Sequence, residues 1–279
     1  MKEAVFNYLR LDGRFPHILC AGCGIGTIMK AMVYAFSDLN LPNERICVVS
    51  GIGCSSRVPG YLDCDTFHTL HGRAIPCAIG VKLAQPEMKV IVIGGDGDIL
   101  AIGLSHFIHA ARRNIDLTCI IVNNFNYGMT GGQVSPTTPQ GSLTLTTPYK
   151  NPEREFNILE ISKAAGAVFF ARSTTYHAQH LKEMIKKAIE KKGFSVVEVI
   201  SQCPTFFGRV NRIGDGVKML EYFKEKSVEV KTLPVASRSE KEEKFPEGKI
   251  VIGVLYETSA EEFLESYQKN VQGEYEGRG

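Results

Sequence analysis

The sequence predicts an α/β fold: a parallel sheet with helices on both faces, followed by a C-terminal extension. Three observations carry this reading. Lys89–Ile93 (Lys-Val-Ile-Val-Ile) and Leu117–Val122 are short, nearly continuous β-branched runs, the pattern of strands buried on both faces. Between them, Ile99–Arg112 places Ile99, Ile102, Phe107, Ala110 and Ala111 at helical spacing. The turn Gly94-Gly95-Asp96-Gly97-Asp98 joins the first strand to that helix. Strand, helix and strand linked by short turns make a βαβ unit, and βαβ units build parallel sheets.

A second unit follows. Glu160–Ala165 reads as a helix, Ala167–Ala171 as a short strand, and Tyr176–Lys191 as an amphipathic helix with a basic end. Phe194–Ile200 is the next strand, and it runs directly into Cys203. The stretch before Pro76 is rich in glycine and cysteine and reads as site-forming loops. Residues 1–223 are therefore expected to form one α/β domain. Residues 224–279 form a charged extension, either a partner contact or a solvated tail. It holds the run Glu240-Lys241-Glu242-Glu243-Lys244, read as an exposed linker, and a last strand at Ile250–Leu255.

Composition narrows the function classes. With 279 residues, 44% hydrophobic and 22% charged, the chain can bury a sizeable core. A net charge of +2 gives no support to a protein that grips nucleic-acid phosphates. No apolar run approaches the roughly 18–20 residues of a membrane helix, and the N-terminal residues lack the pattern of a secretory signal. A cytoplasmic protein is expected, so the eight cysteines point to metal binding or buried thiols rather than disulfides.

The chemistry-bearing motifs lie at the carboxyl ends of the two clearest strands, where α/β proteins place ligands. Gly95-Asp96-Gly97 ends one strand and Asn123-Asn124 ends the next. Magnesium takes hard oxygen ligands, few from protein and the rest from phosphate and water. The Asp96 carboxylate, the Asn124 amide oxygen and the Asn126 carbonyl would supply three of them. Each motif alone is also an ordinary turn. Cys20-Ala21-Gly22-Cys23 could be a redox dithiol, half of a zinc site or part of a cluster site. Cys54 and Cys203 are further candidates, whereas Cys47 and Cys119 sit in apolar runs and read as buried thiols. Cys64 and Cys77 read the same way. The glycines from Gly22 to Gly26 lack dinucleotide-loop spacing. His68 and His71 could face one way on a helix, but two histidines without a third ligand are weak evidence for zinc. His106 and His109 read as helix surface or packing, and the basic residues from Lys182 to Lys192 as a solvated face or, less favoured, a dock for an acidic partner protein.

Together, Gly95-Asp96-Gly97, a helix, a strand and Asn123-Asn124 resemble the thiamine diphosphate fingerprint. The loop from Asn123 through Tyr127-Gly128-Met129-Thr130-Gly131-Gly132-Gln133 to Ser135-Pro136-Thr137-Thr138, and the stretch His68-Thr69-Leu70-His71-Gly72-Arg73-Ala74, sharpen this. They are similar to the thiamine-diphosphate-binding beta subunit of 2-oxoacid:ferredoxin oxidoreductases, over roughly Gly13 to Gly208. The resemblance implies the thiamine-diphosphate-binding fold, with Asp96, Asn124 and Asn126 holding magnesium. It implies cofactor contacts from Ile52, Gly53, Cys54, Ser55, His71, Gly97, Asp98, Gly128 and Met129, with His71 a candidate catalytic residue. It also implies a [4Fe–4S] cluster on Cys20, Cys23, Cys54 and Cys203.

The implied reaction is coenzyme A-dependent oxidative decarboxylation of a 2-oxoacid, with electrons passing through the cluster to ferredoxin. An alpha subunit would carry the pyrimidine-binding domain and its activating Glu, so the chain alone would be inactive. The Tyr127–Gln133 loop resembles subunits that act on 2-oxoglutarate; pyruvate or a branched-chain 2-oxoacid is the alternative substrate. Two other classes compete. A non-oxidative thiamine-dependent decarboxylase or carboligase would hold the cofactor without a cluster. An iron–sulfur or zinc scaffold would hold metal without thiamine diphosphate.

Overall fold

The computed structural model describes residues 5–230 and 248–276. Eight strands form one sheet: β1 (Ile46–Ser50), β2 (Asp65–His68), β3 (Lys89–Gly95), β4 (Thr118–Asn123), β5 (Phe169–Thr174), β6 (Ser195–Ile200), β7 (Ser227–Glu229) and β8 (Ile250–Glu257). Their spatial order is β2-β1-β3-β4-β6-β5-β8-β7. Neighbours from β2 to β5 are parallel, and β8 runs antiparallel to β5.

Alternation along the strands builds two cores. Val48, Ile91, Ile93, Ile120, Val122, Val197 and Val199 face one side. There they meet α1 (Ile25–Asp38), which buries Ile25, Ile28, Met32 and Phe36, and α5 (Ala178–Glu190), which buries Leu181, Ile185 and Ala188. Cys47, Val49, Val90, Val92, Cys119, Ile121 and Val196 face the other side. That side is covered by α2 (Ala74–Ala84), α3 (Leu104–Arg113) and α4 (Ile158–Ala165). Covering both faces is what lets these strands be apolar throughout. Two further helices, α6 (Gly216–Lys226) and α7 (Phe263–Glu276), lie in the C-terminal part. Among the described residues, no helix is long and apolar enough to cross a membrane.

Several elements depart from the sequence expectation. The helix expected at Ile99–Arg112 is two pieces. A wide π-turn spans Asp98–Ile102, and α3 begins only after Gly103. A Cβ at Gly103 would lie 2.5 Å from the Asp98 carbonyl oxygen, so the chain can close back on itself only with glycine there. β5 starts two residues later than expected, and α5 begins at Ala178 rather than Tyr176. The stretch before Pro76 is more than loops, since it contains α1, β1, β2 and the start of α2. His68 ends β2 and His71 follows in a turn, so the two histidines do not share a helix face. His106 and His109 lie on α3. The run from Glu240 to Lys244 lies outside the described residues.

The C-terminal residues join the sheet through β7 and β8, and Asn114 helps hold them. Asn114 ends α3 in the left-handed region at φ 50°. Its Nδ2 donates to the carbonyls of Ala260 and Glu261, at 3.2 and 3.0 Å, and its Oδ1 accepts from the Phe194 amide at 2.8 Å. Asn114→Ala strips all three bonds from a buried position and leaves alanine in a strained conformation. A loss of about 2–3 kcal/mol in urea-unfolding free energy is expected.

Candidate functional site

β3 and β4 lie side by side, with Gly95 paired to Val122. Their carboxyl ends deliver Asp96 and Asn124 to one cleft, which Asn126 also lines. Asp96 is 1% exposed. Its Oδ2 accepts from Ser135 Oγ at 2.7 Å and Thr137 Oγ1 at 2.6 Å, and its Oδ1 accepts from the Gly97 amide at 3.0 Å. Burial pushes this carboxyl up to about 6, against the lowering effect of the Thr137, Ser135 and Gly97 bonds.

Asn124 presents its side-chain oxygen 2.8 Å from the Asn126 carbonyl oxygen and 3.2 Å from Asp96 Oδ1. In the metal-free chain the amide turned over donates to both oxygens. With its oxygen turned inward, the same three groups suit a divalent cation. Adjacent ligands of an octahedral ion at 2.0–2.1 Å stand about 3 Å apart, which is the spacing seen here. The donor set of carboxylate, amide oxygen and backbone carbonyl is hard and suits magnesium.

Ile52, Gly53, Cys54, Ser55, His71, Gly97, Asp98, Gly128 and Met129 all line this same cleft. Asp98 works mainly inside the wall. It is 2% exposed, and its Oδ1 accepts from the Gly72 amide at 2.7 Å and the Ile52 amide at 3.2 Å, with His71 Nδ1 also at 2.7 Å. One carboxylate thus fixes the 52 turn, the 72 turn and the imidazole, and engaging Nδ1 orients the ring through that nitrogen. A Cβ on Gly51 would lie 2.2 Å from Asp98 Oδ2, so this close approach requires glycine.

Tyr127 enters the sequence reading only as part of a motif, yet it forms a wall of the cleft. Its ring covers Gly97, and its hydroxyl donates to the Gly97 carbonyl at 3.2 Å. A Cβ on Gly97 would sit 2.3 Å from the Tyr127 ring. Gly97→Ala should therefore displace the ring, lower stability by about 1–3 kcal/mol and weaken ligand binding in the cleft; thermal denaturation and calorimetry read the two effects. Ser135 and Thr137 are likewise site residues that the sequence does not single out. They enter the sequence reading only within the Ser135-Pro136-Thr137-Thr138 motif, 39 and 41 residues beyond the carboxylate they hold.

The structure also brings Cys20, Cys23, Cys54 and Cys203 together. The Cys23 amide donates to the Cys20 carbonyl at 3.0 Å, closing a tight turn, and the Gly24 amide donates to the Gln202 carbonyl at 3.2 Å. Those bonds dock the 20–24 loop on the end of β6. Burial pushes the Cys23 thiol up to about 12, and Cys203, Cys54 and Cys20 push the same way, against a backbone hydrogen bond. The Cys54 thiol is raised to about 11, again by burial first and then by Cys203 and Cys20. The four thiols are near enough to feel one another's charge. Among the described residues, no three His, Cys, Asp or Glu side chains crowd one point closely enough to hold a single ion. Cys47 and Cys119 are buried in the second core, and Cys64 lies near Cys47, away from the group of four.

Residues 51–199 match the family described as thiamine pyrophosphate enzyme, C-terminal TPP binding domain. The chain is 48% identical over 266 residues to the 2-oxoglutarate synthase subunit KorB of Methanocaldococcus jannaschii, covering 95% of this chain and 96% of that one. It is 47% identical to the 2-oxoacid:ferredoxin oxidoreductase subunit beta of Saccharolobus solfataricus, covering 67% of this chain and 62% of that one. Among solved structures, the 2-oxoglutarate:ferredoxin oxidoreductase from Magnetococcus marinus, with 2-oxoglutarate, coenzyme A and succinyl-CoA bound, superposes with a TM-score of 0.84 at 33% identity. That match covers 96% of this chain and 90% of the other. The chain is a thiamine pyrophosphate enzyme by its central domain and belongs to the beta-subunit family of the 2-oxoacid:ferredoxin oxidoreductases.

Proposed function

We propose that this chain is the cofactor-binding subunit of an enzyme that oxidatively decarboxylates 2-oxoglutarate with coenzyme A as acyl acceptor and ferredoxin as electron acceptor. The observation that carries the reading is the convergence of Asp96, Asn124 and Asn126 oxygens in a cleft that Cys54 also lines. Cys54 is one of the four grouped thiols, so the cleft and the thiol group share a wall.

Asp96, Asn124 and Asn126 would hold magnesium and, through it, the diphosphate of thiamine diphosphate. Gly97, Gly128 and the 52–55 turn would let backbone approach that cofactor. Cys20, Cys23, Cys54 and Cys203 would hold a [4Fe–4S] cluster, which takes four thiolates. A polynuclear centre binds each thiolate to a separate iron, so its ligands need not crowd one point. When bound, thiamine diphosphate supplies carbanion stabilisation for loss of carbon dioxide, and the cluster supplies one-electron acceptance.

The chain's own residues do the placing. Asp98 holds His71 by Nδ1 at the cleft edge, where the ring can hydrogen-bond a substrate or cofactor group. Ser135 and Thr137 aim the Asp96 carboxylate. Ile52 and Met129, 41% and 43% exposed, present apolar surface at the cleft mouth, where an alpha subunit would close the site.

The preference for 2-oxoglutarate rests on the similarity, at 48% identity, to a 2-oxoglutarate synthase subunit and on the Magnetococcus marinus structure, which holds 2-oxoglutarate. The test is reconstitution with the partner subunit and an anaerobic assay of coenzyme A-dependent ferredoxin reduction. Turnover with 2-oxoglutarate at least tenfold above that with pyruvate or branched-chain 2-oxoacids is expected. Equal or greater turnover with pyruvate would reassign the substrate, and turnover without electron transfer would favour a non-oxidative thiamine enzyme.

A further inference from the structure

Beside the cation site, Glu198 and a partly buried Arg172 form an ion pair that lines a side cavity with Asn123, Phe125 and Thr137. Glu198 of β6 is 3% exposed. Its Oε2 accepts from Arg172 Nε of β5 at 2.7 Å, and its Oε1 accepts from Asn123 Nδ2 at 2.8 Å. Arg172 and Glu198 are direct partners across the two strands, and Glu198 stands beside Ile121 of β4, two residues before Asn123. Side chains two apart on a strand share a face. The other members of that face, Ile121, Val196 and Phe170, belong to the second apolar core. The pair stands at the edge of that core, with Arg172 reaching into the side cavity and Glu198 buried beneath it, next to the 123–126 turn.

Asn123 lines the side cavity, while Val122 and Asn124 line the cleft. Phe125, between the two asparagines of the cation site, sits at φ 64°, a conformation that a bulky side chain avoids. Such a turn persists only when it is held at both ends. Its far end is held by Thr138 Oγ1, which donates to the Phe125 carbonyl at 2.7 Å, and by the Phe125–Phe207 ring contact at 5.1 Å. Its near end is Asn123, whose side-chain amide is bound by Glu198. With that amide tied down, Asn123 cannot fold over its own backbone in the local turn that asparagine favours.

We propose that Glu198, itself fixed by Arg172, is a positioning residue for the metal site. It locks Asn123 and so sets the strained 124–126 turn that offers the Asn124 and Asn126 oxygens. The inference rests on the reading of Asp96, Asn124 and Asn126 as magnesium ligands.

The test measures the magnesium concentration that half-saturates thiamine diphosphate binding to the full chain in its purified complex, together with thermal stability. The informative variant is the double replacement Glu198→Leu with Arg172→Met, which removes both charges and keeps the volume. Its melting temperature should stay near that of the parent, while the magnesium requirement rises by up to about tenfold, the low end of the effect of groups bonded directly to a metal ligand, since Glu198 acts through Asn123. Glu198→Gln keeps the shape but only one acceptor oxygen, so it should fold and raise the requirement by a smaller factor. Asn123→Ala should reproduce the double variant, and combining them should add nothing further. A double variant or Glu198→Gln variant that folds with an unchanged magnesium requirement overturns the proposal and leaves the pair a purely structural one. Failure of the cation-site reading looks different: the parent complex would then bind thiamine diphosphate without magnesium, or Asp96→Ala would bind it normally.

Discussion

Asp96→Asn is expected to abolish magnesium-dependent binding of thiamine diphosphate and, at the same time, to stabilise the metal-free chain. The first effect follows from charge. Asp96 is the only carboxylate among the three proposed magnesium ligands, and truncating one side of a buried charged contact costs about 2–5 kcal/mol, roughly thirtyfold to several thousandfold in affinity. The second effect follows from burial. The carboxyl titrates at about 6 in the folded chain against an ordinary value of 3.8. Between those pH values the folded chain keeps a proton that the unfolded chain has released. Metal-free stability therefore falls as pH rises from about 4 to about 6, and above that range ionised Asp96 costs about 3 kcal/mol. Asparagine carries no charge and can still face Ser135 and Thr137, so urea denaturation at pH 7 with chelator should show a gain of about 1–3 kcal/mol. Calorimetric titration of the complex with thiamine diphosphate checks the binding. A variant that binds within threefold of the parent would remove Asp96 from the site.

Cys203→Ser is the second large effect. Anaerobically purified and reduced with dithionite, the parent complex should give the low-temperature electron paramagnetic resonance signal of a reduced [4Fe–4S] cluster, with iron and sulfide to match. The variant should lose that signal, and with it 2-oxoglutarate-dependent reduction of ferredoxin. Serine preserves the size of a side chain that is 9% exposed and packed near Phe207 and Met219, so the fold should survive. Magnesium-dependent thiamine diphosphate binding should stay within about twofold, since Cys203 does not line the cleft. A parent complex that is well folded yet holds no iron or sulfide after reconstitution would remove the cluster and favour a non-oxidative thiamine enzyme.

The central βαβ unit was legible because β3 and β4 are apolar on both faces, and few other arrangements accept such runs. The proposed cation ligands Asp96 and Asn124 could be picked out for the same reason, since both lie where those strands stop. The first third was harder. α1 follows a glycine run that looks like loop and opens with Ile-Gly-Thr, β1 is five residues long, and β2 is largely exposed at the sheet edge and carries no hydrophobic alternation. The wide turn after Asp98 could not be read either, because it depends on Gly103 closing against a carbonyl rather than on local propensity. Long-range hydrogen bonds were the least visible. Nothing near Asp96 in sequence points to Ser135 and Thr137, and nothing near Asp98 indicates that its carboxylate would hold His71 and two backbone amides from earlier in the chain.

Cys54 stands on both sides of a shared partition. It lines the cleft of Asp96 and Asn124, it lies near enough to Cys20 and Cys203 for their charges to raise its thiol, and a Cβ added to Gly128 in the cleft wall would lie 3.4 Å from its sulfur. For anyone engineering this protein, the four thiols are therefore not equivalent. Altering Cys20 or Cys203 would strip the proposed cluster while leaving the cleft intact, whereas any change at Cys54 would touch both the proposed cluster and the cleft at once.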